Sequence, residues 1–292
     1  MTNFKPIESI IQPPPIHWVG DGFIVHGFFP EQQSLEKRMS PFFLLDYNSK
    51  FEFSPSQKQR GVGVHPHRGI ETVTIAYHGK VAHHDSTGNS GVIGEGDVQW
   101  MTAGSGILHK EYHEKEFSKK GGLFQMVQLW VNLPAKYKMT QPKYQPILKN
   151  EMGNFEIPND GGKVYVIAGE YKDVKGPAST FSPINLYNVY LKTGFSVDFN
   201  FPENYNTGFL IIEGEVNVND SKVAKENSFI LFKNSGTDII LSAEKDCTVL
   251  VMNGEAINEP LAHYGPFLMN TKEELQQAFE DYQNGLFGHL ED

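Results

Sequence analysis

Two histidines stand one residue apart in the run VGVHPHRGIETV, residues 62–73. In an extended chain, residues i and i+2 point to the same face, so His65 and His67 present two imidazoles to one side. Pro66, between them, has no N–H to give to a ladder, which places the pair at a strand start or on an edge strand. The run GILHKEYHE repeats the spacing with a carboxylate, His109 and Glu111. Two facing strands carrying these pairs would aim three imidazole nitrogens and one carboxylate oxygen at a common centre. That mixed donor set suits iron, manganese, nickel, copper or zinc; it is neither a calcium cage nor a cysteine-built structural zinc site.

The spacing leaves alternatives open. His113 lies two beyond Glu111 and competes for the same face. Glu71, four beyond His67, is near enough to be a ligand, or an acceptor that orients an imidazole. His83 and His84 are adjacent and face opposite ways in a strand, so at most one turns inward. Seven of the 11 histidines fall between residues 65 and 113, where an even spread would put about two. Trp100 and Met101 either pack in the core or line a pocket for a flat aromatic molecule. In LFQMVQLWVNLP, Val127, Leu129 and Val131 alternate with Gln128 and Trp130, so one set packs while the other can face a metal.

The elements that must position these residues are strands. Short apolar or alternating runs bounded by Gly, Asn, Asp and Pro dominate, among them FSVDFNF, NTGFLIIEGEVNVND and CTVLVMNGE. Many short strands at close spacing predict a sandwich or barrel. One stretch near the C-terminus, NTKEELQQAFEDYQNGLFG, reads as helix. Thr271 and Glu274 form a capping box, Leu275, Ala278, Phe279 and Tyr282 share a face, and Gly285 is a stop. The polar stretch ILKNEMGNFEIPNDGG divides the chain into expected domains 1–150 and 151–292. A faint repeat relates them: GKVAHHDS at 79–86 matches GEVNVNDS at 214–221. At the offsets of His65 and His67 the second copy carries Asn200 and Pro202, so a metal site is expected in the first half alone.

Bulk properties narrow the function. The chain has 292 residues, 39% of them apolar, and a formal charge of -10 with no basic stripe. Such an acidic surface repels a phosphate backbone, so nucleic-acid binding is not expected. The one cysteine, Cys247, sits in an apolar strand-like run and reads as a packed small hydrophobe. With neither a signal-peptide pattern nor a membrane-length apolar run, a cytoplasmic location is expected.

The residues HPHRGIETVT (65–74), GDVQWMTAGSGILHKE (96–111) and QLWVNLP (128–134), with SPFFLLDY (40–47) and EPLAHYGPFLMNTKEELQQAFEDY (259–282), resemble the cupin superfamily and, more narrowly, the pirin family. The resemblance implies an all-β bicupin: two antiparallel jelly-roll β-barrels face to face, plus a C-terminal α-helix. It implies one divalent metal in the N-terminal barrel, usually Fe(II), on His65, His67, His109 and Glu111. Generic cupins take their carboxylate from the first motif, here Glu71, and turn on PxG, where this chain has Thr102–Ala103–Gly104. Following pirin, Glu71 falls outside the ligand set, in the surroundings of the site with His83, Trp100, Met101 and Gln128. The activity implied is that of a quercetin 2,3-dioxygenase, cleaving a small flavonol-like aromatic with O2. Glu111 is then also expected to accept the 3-hydroxyl proton. The rival implication is a regulatory protein that acts on a protein partner through the redox state of its iron.

Overall fold

The computed structural model describes residues 3–30 and 33–291. They divide into two compact units. One comprises residues 15–30, 33–36, 41–148 and 257–291; the other comprises 3–14, 37–40 and 149–256. The division is discontinuous, where the sequence pointed to contiguous halves. The C-terminal helix Lys272–Gln283 belongs with the histidine-bearing unit, and the opening strand β1 (Ile7–Ile11) belongs with the other.

The histidine-bearing unit contains two large antiparallel sheets and a two-stranded one, Ala262–Tyr264 with Phe267–Met269. The strands of the large pair run β2 (Ile16–Val19), β3 (Phe23–Phe29), β4 (Phe42–Phe53), β5 (Gly61–His67), β6 (Ile70–His78), β7 (Val81–Asp85), β8 (Ser90–Ile93), β9 (Val98–Thr102), β10 (Ile107–His113), β11 (Gly122–Asn132) and β12 (Lys143–Ile147). The larger sheet has the order β12-β9-β6-β11-β4-β3-β2 and the smaller β5-β10-β7-β8. Both orders end in free edges. The expected closed barrels are therefore seen as open sheets, whose inner faces share one core. Phe23, Val25, Phe53, Phe124 and Met126 from the larger sheet meet Val81 and Ile93 from the smaller. Burying each such side chain contributes roughly 1.5–3 kcal/mol.

Strand β5 is an edge strand, which is why Pro66 fits opposite Leu108 without breaking a central ladder. In β10 burial alternates strictly, so Ile107, His109, Glu111 and His113 share the inner face. Between β5 and β6 the chain turns at Gly69 with φ +79°, and a Cβ there would lie 2.1 Å from Leu268 O. No larger residue fits that approach.

The other unit holds a nine-stranded sheet that includes β1. Its core sets Tyr171, Tyr187, Phe199, Phe201, Phe209 and Phe232 among Val, Ile and Leu side chains. Asn200 is exposed and bonds Asp238. Cys247 is buried, and burial pushes its thiol up to about 12. The C-terminal helix starts on the expected capping box, with Thr271 Oγ1 accepting from Glu274 N and Glu274 Oε2 from Thr271 N. Among the described residues no helix is long and apolar enough to cross a membrane.

Candidate metal centre

Antiparallel pairing of β5 with β10 sets His109 opposite His65 and Ile107 opposite His67. Three imidazoles converge as a result. Ring centroids lie 4.2 Å apart for His65–His109, 4.9 Å for His67–His109 and 5.0 Å for His65–His67. One nitrogen from each falls within 4.8 Å of the other two. His65 Nδ1 lies 2.8 Å from Gly63 O, and His67 Nδ1 lies 3.1 Å from Pro266 O. A carbonyl only accepts, so each Nδ1 carries a proton, and Nε2 is the nitrogen each ring has left to offer a cation.

His109 is fully buried, and neither of its ring nitrogens has a hydrogen-bond partner. Leaving such groups unanswered costs about 1–3 kcal/mol each. Burial, and then the neighbouring His65 and His67, hold its pKa well below the usual histidine value. Burial and His65 bring His67 down to about 3. Both rings stay neutral across the physiological range, as a ligand must. Neutral His67 and His109 beside His65, with both nitrogens of the buried His109 orphaned, fit a divalent cation.

Glu111 sits on the same face of β10, between the two sheets. Its Oε1 accepts from Gln99 Nε2 at 2.5 Å and lies 3.0 Å from Thr74 Oγ1; its Oε2 accepts from Gln128 Nε2 at 3.2 Å. Thr74 Oγ1 has one proton and a second acceptor, Gln128 Oε1, at 2.6 Å. The larger sheet thus supplies the donors that hold the carboxylate. Glu111 groups at ligand spacing with His109 and His83, while His65, His67 and His109 form a separate triple. His109 belongs to both.

Of the adjacent pair, His83 turns inward. It is fully buried, pairs across the ladder with Glu111, stacks on Tyr144 and bonds Asp85 at 3.3 Å. His84 faces out and bonds Tyr112. The signal that finds His83 in sequence is a third i, i+2 pair, His83 with Asp85. His113 is a core histidine, with Nε2 on Gly22 O and rings of Phe23, Phe53, Phe117 and Phe124 around it. Gln128 and Trp130 face the site, and Val127, Leu129 and Val131 take the other face.

Glu71 and Trp100 stand apart from the site. Glu71 Oε1 accepts from Thr102, and both residues alternate away from Thr74 and Gln99, which face Glu111. Met101 packs with Phe43, Ile70, Ile107 and Trp130. The site's surroundings therefore comprise Gln128, His83, Gln99 and Thr74, not Glu71, Trp100 or Met101.

A cavity of about 240 Å³ opens onto the centre. His65, His67, Glu111 and Gln128 form its polar end. Phe23, Val25, Leu44, Met126 and Trp130 form apolar walls, and Gly265 and Pro266 close one side. That last contribution comes from the C-terminal segment, which two buried cations pin down. The Arg68 guanidinium bonds Asp281 at 2.7 Å and Ser105 O at 2.7 Å, and lies over the Phe287 ring. Lys138 Nζ donates to Gly69 O, Asn132 Oδ1 and Leu268 O.

Comparison with known proteins agrees with this architecture. The family model described as Pirin matches residues 23–131, and that described as Pirin C-terminal cupin domain matches 186–288. A Pseudomonas aeruginosa protein provisionally named a quercetin 2,3-dioxygenase is 46% identical over 271 residues, covering 93% of this chain and 94% of that protein. A tomato (Solanum lycopersicum) protein named pirin-like is 39% identical over 274 residues, covering 92% and 88%. A crystal structure named as quercetin 2,3-dioxygenase from Acinetobacter baumannii superposes with a TM-score of 0.93 at 46% identity, covering 99% of this chain and all of that one.

Proposed function

Because this chain belongs to the pirin family, we propose that its histidine-bearing unit is a metal-dependent dioxygenase centre that opens the ring of a flavonol-like substrate with O2. His65, His67 and His109 hold the ion, and Glu111, beside His109, supplies the carboxylate. Fe(II) is the ion favoured by the family; the donor set also accepts Mn, Ni, Cu or Zn. The observation that carries the reading is the pair of orphaned, buried nitrogens on His109, next to two imidazoles whose protons are fixed away from the centre.

When bound, the ion supplies a Lewis-acidic template on which an enolate-forming substrate and O2 meet. The protein's own residues do the rest. Gln99 and Thr74 occupy Glu111 Oε1, while among the described residues Oε2 has the single donor Gln128. Oε2 is therefore the atom that takes the substrate's hydroxyl proton. Phe23, Leu44, Met126 and Trp130 pack against the flat rings and keep water out.

The direct test is to incubate iron-loaded protein with quercetin in air and follow loss of the flavonol absorbance. Turnover well above that of His65→Ala is expected, and equal rates would overturn the reading. Glu111→Gln, loaded with iron, should lose about 10²–10⁴-fold in turnover if its carboxylate moves the proton. Full activity rules that role out.

A further inference from the structure

Three buried ring nitrogens in the cluster lack a hydrogen-bond partner: both of His109 and Nδ1 of His83. An ion among His65, His67 and His109 answers one nitrogen of His109 and leaves His83 Nδ1 as it was. Yet His83 has the surroundings of a ligand. Its Nε2 lies on Asp85 Oδ2, while Asp85 Oδ1 accepts from Thr87 N, Thr87 Oγ1 and Asn89 N. With three donors on Oδ1, Asp85 stands as an acceptor, so Nε2 of His83 turns its N–H to Oδ2 and Nδ1 is the ring's other, unpartnered nitrogen. Metal-binding histidines are generally anchored this way, with the far N–H on a carboxylate or carbonyl. His65 and His67 use carbonyls, and His83 uses a carboxylate. His83, His109 and Glu111 are all buried and offer donor atoms within 4.8 Å of one another.

We propose that the cluster offers one ion two overlapping seats that meet at His109: an outer seat with His65 and His67, and an inner seat with His83 and Glu111. The inference rests on the reading that the outer histidines bind an ion. The seats exclude each other, because two dications on one buried imidazole would repel strongly at low dielectric. They also differ in access. His65 and His67 line the cavity, while His83 and His109 do not. An ion in the inner seat is withdrawn from substrate and exposes only the Glu111 side, so the inner seat stores the ion in an unreactive position.

The test is a Co(II) titration of metal-free protein, read as ions per chain after dialysis and by the visible Co(II) absorption. The His65→Ala/His67→Ala variant, stripped of the outer seat, is expected to hold one Co(II) per chain with an altered spectrum. Adding His83→Gln should abolish that binding. If the double variant binds none, or the triple variant binds as well as the double, the inner seat does not exist. A wild-type protein that binds no Co(II) instead removes the reading on which the inference stands. Should the triple variant lose its near-UV circular dichroism, Asp85→Asn in the double background decides. Freeing His83 from its anchor should lower Co(II) affinity about 10–100-fold, and unchanged affinity overturns the proposal.

Discussion

His109 and His113 lie on the same face of one strand, four residues apart, and both are fully buried. Their neighbours give them different chemistry. Around His113, Phe23, Phe53, Phe117 and Phe124 form a cage, and Gly22 O takes its Nε2. Around His109 stand three other imidazoles and no acceptor. His113→Phe should therefore keep wild-type ion affinity and cost about 1–3 kcal/mol, through the carbonyl it leaves unpaired. His109→Phe should abolish ion binding, since it removes the donor common to both triples. Chelator competition read alongside thermal melting separates the two outcomes; equal affinity losses would show that the difference in neighbours has no chemical consequence. Sequence spacing brings His65, His67, His109 and Glu111 to the site because period-two alternation within a strand is a local property. It could not rank His113 against them, because the aromatic cage comes from three other strands and a helix.

At the scale of elements, alternation works within a strand and fails across a turn. Counting by twos from His67 puts Glu71 on the inner face. The Gly69 turn instead passes the chain from the smaller sheet to the larger, and Glu71 emerges on that sheet's far side, bonded to Thr102. Nor does the sequence reveal what the C-terminal segment does, because Arg68 and Asp281 are 213 residues apart. The segment supplies the carbonyl of Pro266, which fixes the proton of His67 on Nδ1. Arg68, adjacent to His67, and Lys138 hold that carbonyl in place through Asp281 and Leu268 O. Asp281→Ala should leave the strands intact yet lower ion affinity about 10–100-fold, as loss of an orienting partner does. The matched surface change Asp246→Ala, in the other unit, should not. Chelator competition on both variants is the measurement, and equal affinities would show that the segment covers His67 without orienting it.

For the molecule as a whole, buried ionisable groups set how the ion-free protein responds to acid. Burial holds His67 near 3 and His109 well below 6.5; it also holds His113 near 4, against its hydrogen bond to Gly22 O. Unfolded, all three titrate near 6.5. As pH falls through that value the unfolded chain gains three protons that the folded chain refuses, so stability is lost. Glu71 works in the opposite direction. Burial pushes it up to about 7 against the hydrogen bond from Thr102, so between about 7 and 4.5 the folded state binds a proton that the unfolded state does not. Three against one leaves a net loss on acidification, on the order of 2 kcal/mol for each pH unit below about 6. Below pH 4.5 Glu71 is protonated in both states and its offset stops growing, so the decline steepens until His113 begins to protonate near 4. Urea midpoints of metal-free protein between pH 4.5 and 7.5 should show this slope, and Glu71→Gln should make it steeper across that window. A flat profile, or one that rises toward acid, would mean that the cluster is already protonated in the folded state, and a cluster in that state could not receive a cation.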